Sequence, residues 1–368
     1  MIPIFDPFIS QSGKNNVLQA LNDNWISSQG QFIKEFEKKL SEFHSSKYCL
    51  VTSNCTSALH LSLLASGLKK GDEVICPALT FIAPANMVLL ANFNLRLVDI
   101  DSKTLTIDPI QLKKKITKRT KAIIIVHQFG HSAHMDEIMS ICKKNNIFVI
   151  EDNAESLGGK YKGKLLGTFG DITTLSFFAN KIITTGEGGA IITNSKKYYD
   201  LCSQMRDHGM SLKKKYFHTK LGFNYRMTNL QAAIGLSQIS EYKKIINIRN
   251  KQLEFYNFNL KNLEKYIEIR SFQKWCQPVH WLMTIKIKKN GLRNNLLKFM
   301  KEKGVDCRQM VNPVFEALYL KKKFNPAEFR NSINISKNSL HLPSGTSLTK
   351  YNIEYVCKML NFFFKINF

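Results

Sequence analysis

The chain has 368 residues, of which 44% are hydrophobic and 22% are charged, a composition typical of a globular protein large enough for two domains. It contains no apolar run of roughly 18 residues, so neither a membrane-spanning helix nor a membrane partner is expected. The N-terminus shows no basic start followed by an apolar stretch, which indicates no signal peptide and makes the cytoplasm the expected location.

The formal net charge is +25, and such an excess of basic residues can indicate a protein that neutralises nucleic-acid phosphates. The lysines form only short clusters, at residues 113–115, 213–215 and 321–323, and no nucleic-acid-binding motif is present. Lysines spread over solvated faces are therefore the favoured interpretation, and no nucleic-acid partner is expected. A basic surface would also attract a nucleotide diphosphate.

The eight cysteines are scattered, with no Cys-x-x-Cys pair, and the histidines do not cluster. Zinc sites require closely spaced ligands, so this pattern predicts no metal site. Free thiols, buried or half-buried in a reducing compartment, are the expected state of these cysteines.

The first half of the chain alternates helical and strand-like patterns. Four hydrophobic residues at helical spacing predict the first long helix: Ile33, Phe36, Leu40 and Phe43. Further on, strands are predicted at residues 48–52, 73–76, 95–99, 122–126 and 147–150, and helices at about residues 57–67, 84–90, 109–116 and 135–144. Continuous apolar strands alternating with helices predict an α/β fold with a mainly parallel sheet covered on both faces.

The pattern changes after about residue 240. A long charged helix is predicted at residues 242–258, followed by a mixed region with a strand near residues 282–285. We therefore predict a large domain at residues 1–240 and a smaller C-terminal domain at residues 241–368.

Three features fall where ligands collect, at the carboxyl ends of parallel strands. Asp152 follows an apolar strand and is either a ligand-binding carboxylate or a helix cap. Lys181, set among aromatic and small residues, is either a surface charge or a desolvated amine nucleophile. Thr56 and Ser57 open a helix, where hydroxyls and free N–H groups either bind phosphate or only cap.

Together these features are the parts that a pyridoxal phosphate site requires. A carboxylate keeps the pyridine nitrogen protonated, so that the ring acts as an electron sink, and a lysine forms the Schiff base. A helix N-terminus holds the phosphate.

Several ordered blocks carry a family resemblance over nearly the whole chain: residues 71–75, 80–81, 126–127, 151–155, 176–181, 185–189 and 222–229. On them the sequence resembles the DegT/DnrJ/EryC1/StrS sugar aminotransferases, within the fold-type I pyridoxal phosphate enzymes. The resemblance implies a mainly parallel, mixed seven-stranded sheet flanked by helices, with a smaller C-terminal α/β domain. Residues 176–189 are similar to the GDP-perosamine synthase branch. Those enzymes aminate C4 of GDP-4-keto-6-deoxymannose with L-glutamate as donor, for surface polysaccharide.

The resemblance also implies roles for individual residues. Lys181 is the implied Schiff-base lysine, Asp152 the partner of the pyridine nitrogen, and Glu155 the neighbour of the phenolic oxygen. Phe81 matches the aromatic residue that stacks on the ring. The remaining cofactor contacts implied are to the phosphate, from Thr56, Ser57 and Ser176, and from Asn224 of the neighbouring subunit. The last contact implies a homodimer with composite active sites.

Two departures from the family pattern leave the function and substrate open. Cys55 stands where relatives usually have glycine, and its side chain could crowd the phosphate loop or require a different backbone angle. Residues 312–315 read Asn-Pro-Val-Phe where relatives often read Tyr-Pro-Leu-His. The alternatives are a pyridoxal phosphate sugar dehydratase, although such relatives carry histidine at the position of Lys181, and a non-enzymatic regulator or nucleic-acid-binding protein.

Overall fold

The computed structural model describes residues 1–367. In that range the α-helices are α1 (Gln11–Asn22), α2 (Gln31–His44), α3 (Cys55–Ala65), α4 (Ala83–Leu90), α5 (Pro109–Lys115), α6 (Met135–Lys144), α7 (Lys196–Arg206), α8 (Asn229–Ser240), α9 (Tyr242–Leu260), α10 (Arg293–Glu302), α11 (Arg330–Asn338) and α12 (Lys350–Asn367). The strands are β1 (Tyr48–Thr52), β2 (Glu73–Pro77), β3 (Asn94–Val98), β4 (Thr120–Val126), β5 (Phe148–Asp152), β6 (Lys160–Tyr161), β7 (Lys164–Leu165), β8 (Ile172–Ser176), β9 (Gly189–Thr193), β10 (Ile267–Ile269), β11 (Cys276–Gln277), β12 (Met283–Ile287), β13 (Arg308–Gln309) and β14 (Ser339–Leu342).

The central sheet has seven strands in the order β1-β9-β8-β5-β4-β2-β3. Strand β9 runs antiparallel to both of its neighbours, and the other six strands share one direction. The predicted α/β class, with a mainly parallel mixed sheet of seven strands, is confirmed. Several predicted boundaries differ from the structure by two residues, and two of these lie at the predicted site: α3 begins at Cys55, and β5 continues to Asp152.

Helices cover both faces of this sheet because successive residues of each strand point to opposite sides. Ala122 and Ile124 of β4 pack in the cluster that includes α3 and α4. Ile123 and Ile125 pack instead in the cluster that includes α5 and α6. Since both faces are apolar, β4 is a continuous apolar run rather than an alternating one.

The C-terminal part of the chain forms a second, four-stranded antiparallel sheet in the order β10-β12-β14-β13. It packs with α9, α10 and α12 around a separate hydrophobic cluster. The N-terminal residue Ile2 also belongs to this cluster and bridges to Val305. The domain boundary at residue 240 stays a prediction.

Within residues 1–367, the requirements for crossing a membrane and for holding a metal ion are both unmet. None of the helices is both long and apolar enough to cross a membrane. None of the groupings of His, Cys, Asp and Glu side chains in that range could hold a metal ion.

Candidate active site

The carboxyl ends of six strands and the amino end of β9 meet at one edge of the central sheet. Most of the polar residues singled out in the sequence lie at this edge because each one ends a strand or directly follows one. The segments concerned are residues 53–57, 77–81, 127–129, 152–155 and 176–181. The fold therefore brings together segments that are far apart along the chain.

Lys181 lies in a loop that leaves β8 and returns to β9. Phe177 is fully buried and packs against α2, and Ile182 and Ile183 are buried in the same cluster. The Phe177 amide donates to the carbonyl of Gly188 at 2.8 Å and closes the base of the loop. Because the loop is anchored on both sides, the Lys181 backbone is fixed, while its side chain stays 14% exposed.

The amine of Lys181 faces two buried side chains. Its Nζ lies 3.7 Å from Glu155 Oε1 and 3.8 Å from the centroid of the Trp281 ring. The other oxygen of Glu155 accepts a hydrogen bond from the Phe129 amide at 2.7 Å. Burial raises the pKa of the Glu155 carboxyl, and the positive charge of Lys181 opposes that rise. The site thus holds an amine and an acid in close contact.

Asp152 is the last residue of β5, between β4 and β8, so its position is set by the sheet itself. Its Oδ1 accepts a hydrogen bond from the Ala154 amide at 3.1 Å. Burial raises the pKa of this carboxyl from 3.8 to about 6, the charge of Glu155 adds to the rise, and Lys181 opposes it. A buried carboxylate is stabilised by a cation placed beside it, and a protonated pyridine nitrogen is such a cation.

The N-terminus of α3 lies at the same edge. Asn54 caps the helix, and its Oδ1 accepts from the Ser57 amide at 2.8 Å. A Cβ on Gly189 would lie 2.5 Å from the backbone of Asn54 and Cys55, so only glycine lets β9 come this close. The first-turn N–H groups of a helix have no intrahelical partners, so those of Cys55 and Thr56 are suited to donate to a phosphate at this end of the helix.

Ser176 ends β8 directly opposite Gly189, which in turn pairs with Thr52 at the end of β1. Its hydroxyl accepts from the Phe178 amide at 3.4 Å. The Ser176 hydroxyl, which is predicted to bind phosphate, therefore lies on β8, two strands away from β1 and the segment that leads from β1 into α3.

Cys55, the residue that departs from the family pattern, is the first residue of α3 and does not have a positive φ. Burial raises the pKa of its thiol, as does the charge of Asp152, and the thiol lies beside the Thr174 side chain. The thiol is thus directed toward the Asp152 side of the site, and its backbone is unstrained.

Phe81 lies in the turn before α4 with 60% of its surface exposed. Residues 312–315 contact the same turn, since the Val314 amide donates to the Ala78 carbonyl at 2.8 Å. The Phe315 ring is buried and stacks on Phe329 with centroids 4.8 Å apart. An aromatic ring this exposed, at an edge otherwise lined by buried groups, offers a flat apolar face to a ligand.

Asn224 is exposed and lies in a long loop between α7 and α8. Its Oδ1 accepts from the guanidinium of Arg226 at 3.0 Å, and its backbone bridges to Asp207. Four apolar side chains of this loop are more than half exposed: Leu212, Tyr216, Phe217 and Leu221. Exposed apolar patches of this kind are typical of protein–protein interfaces.

Sequence reasoning missed Trp281 and Arg270. Trp281 reaches Lys181 from the segment before β12, and no motif marks it. Arg270 donates hydrogen bonds to the backbone carbonyls of Gln128 and Phe129, each at 2.9 Å, and so supports the segment whose amide binds Glu155. Burial lowers the pKa of its guanidinium to about 10. No sequence signal marks this role, because Glu268 lies two residues before Arg270 and the segment reads as an ordinary charged stretch.

These residues fit pyridoxal phosphate. The buried Asp152 carboxylate suits a pyridinium, the N-terminus of α3 suits a phosphate, and Gly189 leaves that N-terminus uncrowded. An amine able to form a covalent link, Lys181, lies beside these groups.

A family model described as the DegT/DnrJ/EryC1/StrS aminotransferase family matches residues 7–361. A GDP-perosamine synthase of Escherichia coli O157:H7 is 37% identical over 99% of this chain and 98% of its own length. A protein of the same name from Caulobacter vibrioides is 36% identical over 98% of this chain and 97% of its own. Among solved structures, the E. coli GDP-4-keto-6-deoxy-D-mannose-3-dehydratase with bound hydrated PLP aligns with a TM-score of 0.87. It is 26% identical, and the alignment covers 98% of this chain and 99% of that one.

Proposed function

Because the chain belongs to the DegT/DnrJ/EryC1/StrS aminotransferase family, and is a sugar aminotransferase that uses pyridoxal phosphate, we propose its substrates and its site residues. The proposed reaction transfers the amino group of L-glutamate to C4 of GDP-4-keto-6-deoxymannose and yields GDP-perosamine. Support for this sugar comes from the names of two relatives that match almost the whole chain. The site observation that carries the proposal is Lys181 beside a buried carboxylate pair, Asp152 and Glu155.

When bound, pyridoxal phosphate supplies a carbonyl that takes up the amino group and a ring that withdraws electrons from the adjacent carbon. We propose that Lys181 holds it covalently and that Asp152, ionised above a pH of about 6, keeps its pyridine nitrogen protonated. Thr56, Ser57 and Ser176 would hold its phosphate together with the N-terminus of α3.

Lys181 has a second proposed task once the donor has displaced it. Its Nζ would then take a proton from the donor's α-carbon, and in the second half-reaction return one to C4 of the sugar, as general base and acid. Glu155 lies 3.7 Å from this nitrogen and attracts its cationic form. The Phe129 amide fixes Glu155, so the acid stays in place as the lysine moves.

We further propose that Phe81 stacks on the cofactor ring and that Asn224 completes the phosphate site of a neighbouring subunit in a homodimer. The exposure of Phe81, of Asn224 and of the apolar side chains near Asn224 supports both assignments. Large apolar side chains are unfavourable on a surface exposed to water, whereas a subunit interface or a bound ring would shield them from it.

The direct test offers the purified protein a panel of nucleotide-linked 4-keto and 3-keto sugars with ¹⁵N-labelled glutamate. We expect mass spectrometry to find the label in the product from GDP-4-keto-6-deoxymannose. Label in a product from a different sugar would keep the aminotransferase and change the substrate. A deoxy product formed without glutamate consumption would overturn the proposed transamination in favour of dehydration. Dehydration is the less favoured reaction because dehydratase relatives carry histidine at the position of Lys181.

A further inference from the structure

Trp281 presents the face of its indole ring to the amine of Lys181. The amine nitrogen lies 3.8 Å from the ring centroid, close enough for a cation–π contact. Trp281 is 5% exposed, so the contact is largely shielded from water. Shielding strengthens the attraction between an ammonium and an aromatic face because water no longer competes for the charge.

Three contacts hold this ring in place. Its Nε1–H donates to the carbonyl of Asn180, the residue directly before Lys181. Its backbone carbonyl accepts from the buried guanidinium of Arg249 at 2.9 Å. The ring also stacks on Phe129, with centroids 6.0 Å apart and planes 13° from parallel. The ring is therefore positioned relative to the lysine backbone and is not a loose neighbour.

Four successive contacts link the residues around the amine into a closed ring. Lys181 contacts Glu155, Glu155 accepts from the Phe129 amide, Phe129 stacks on Trp281, and Trp281 faces Lys181. The acid attracts the ammonium from one direction and the indole face attracts it from another. Both contacts are attractive toward a positive charge on Nζ.

We propose that Trp281 is a positioning residue that holds the freed Lys181 as an ammonium between its two proton transfers. The proton taken from the donor's α-carbon would bond to the lone pair of Nζ, and the indole face would stabilise the cation until Nζ gives that proton to the cofactor carbon that receives the amino group. The proposal rests on the proposed function in one respect, that Lys181 is the lysine that carries the cofactor.

Three other charged side chains act on the site around Lys181 and Trp281, namely Asp152, Glu155 and Arg270. Asp152 and Glu155 both act on the site with negative charge, and Lys181 in turn opposes the rise in the pKa of each carboxyl. Arg270 has its guanidinium carbon 5.6 Å from the Phe129 ring. Because these groups remain in a Trp281 variant, a change in Lys181 reactivity can be assigned to the ring.

The first experiment uses the full chain stripped of cofactor and measures how fast Lys181 is reductively methylated at mildly alkaline pH, by peptide mass spectrometry. Only the neutral amine reacts, so losing the ring should speed the reaction. We expect Trp281→Leu to react about fivefold to thirtyfold faster, the range that a partly desolvated cation–π contact corresponds to. Trp281→Phe keeps an aromatic face and should fall between this variant and the wild type.

Trp275→Phe is the matched control, because Trp275 packs against His134 and Tyr161 with ring centroids 4.7 and 5.0 Å away. Its rate should equal that of the wild type. Equal rates for wild type, Trp281→Phe and Trp281→Leu would overturn the proposal. If Trp281→Leu does not fold, the Trp281→Phe rate decides alone. A Trp281→Phe rate equal to that of the wild type would then contradict the role proposed for the indole ring.

The second experiment uses the loaded enzyme and follows the glutamate half-reaction by stopped-flow absorbance across pH. Without the indole face we expect the acidic limb of the rate profile to move toward lower pH by about one unit. An unmoved limb with only a lower rate would indicate a merely structural role. Borohydride reduction separates this outcome from failure of the proposed function, since cofactor attached to a peptide lacking Lys181 would refute the latter while leaving the methylation result intact.

Discussion

Lys181 Nζ lies 3.7 Å from Glu155 Oε1, although the two residues come from different strand ends. Burial raises the pKa of Glu155, and the lysine's charge opposes that rise. The second carboxylate oxygen accepts from the Phe129 amide at 2.7 Å. The Glu155 carboxylate thus makes two separable interactions. Its negative charge acts on the Lys181 amine, and one of its oxygens accepts a hydrogen bond from the Phe129 backbone.

Substitutions of Glu155 can separate these parts. Glu155→Gln keeps an acceptor for the Phe129 amide, so we expect it to bind the cofactor and to retain about a tenth of the wild-type kcat/KM or more. Glu155→Ala leaves that buried amide unpaired and should lower the free energy of unfolding by about 1–3 kcal/mol. Urea denaturation and steady-state kinetics measure both effects. Equal stability of the two variants would contradict the role assigned to the Phe129 contact.

The carboxyl of Asp152 gives a prediction with a defined pH window. Its folded pKa is about 6, above the ordinary value of 3.8, so the folded protein binds a proton here more readily than the unfolded chain. Ionised Asp152 therefore destabilises the cofactor-free fold at neutral pH, and this penalty disappears as pH falls through about 6 toward 4. Asp152→Asn should raise the free energy of unfolding at pH 7 by about 2–3 kcal/mol, with the gain shrinking over that window.

The same substitution should reduce turnover by about a hundredfold or more, since an amide cannot keep the pyridine nitrogen protonated. Denaturation of the cofactor-free protein at several pH values and kinetics of the loaded enzyme test the two halves. The exposed Asp23, converted to Asn, is the control and should change neither. A destabilised, fully active Asp152→Asn would show that the carboxylate is structural.

Removing the amine gives the most direct prediction. Lys181→Ala should lose turnover and the visible absorbance of the covalently held cofactor, because no other side chain is proposed to form that link. Lys164→Ala, on the exposed strand β7, should keep both. Absorbance spectra of the reconstituted proteins and the ¹⁵N-glutamate assay provide the readouts. A yellow, active Lys181→Ala would place the cofactor elsewhere.

A composite site predicts complementation between two inactive variants. Subunits carrying Asn224→Ala and subunits carrying Lys181→Ala, mixed and allowed to exchange, should form hybrids with one intact site each. Random pairing then restores up to about a quarter of the wild-type activity for a symmetric dimer. Mixing Lys181→Ala with Asp152→Asn is the control, since both lesions fall in the site of their own chain. Recovery in the control, or none in the test mixture, would refute the assignment of Asn224 to the partner.

Gly189 predicts a steric effect on the phosphate end. A Cβ there would lie 2.5 Å from the backbone of Asn54 and Cys55, which must move away and displace the start of α3. We expect Gly189→Ala to weaken cofactor binding about tenfold or more and to cost about 1–3 kcal/mol of stability. At Gly163 a Cβ would meet no atom within 4 Å, so Gly163→Ala should leave cofactor affinity unchanged, although the φ of 81° there makes alanine costly for stability. Equilibrium titration with the cofactor compares the two.

The sequence by itself determined the central sheet, because strands buried on both faces must be apolar without interruption, as β4 is. It also placed Asp152 and Lys181 near strand ends, where parallel sheets bind ligands. The short strands β6, β7, β11 and β13 had no such signal, since two residues carry no periodicity.

Only the tertiary structure decided which side chains face the amine. Trp281 and Arg270 reach the site from beyond β9, by packing and by hydrogen bonds to backbone carbonyls, and neither interaction leaves a local pattern. Phe129 binds Glu155 from a left-handed backbone position that its residue type does not suggest. Local sequence encodes which residues are buried and where elements end, whereas the contacts between distant segments depend on how those elements pack.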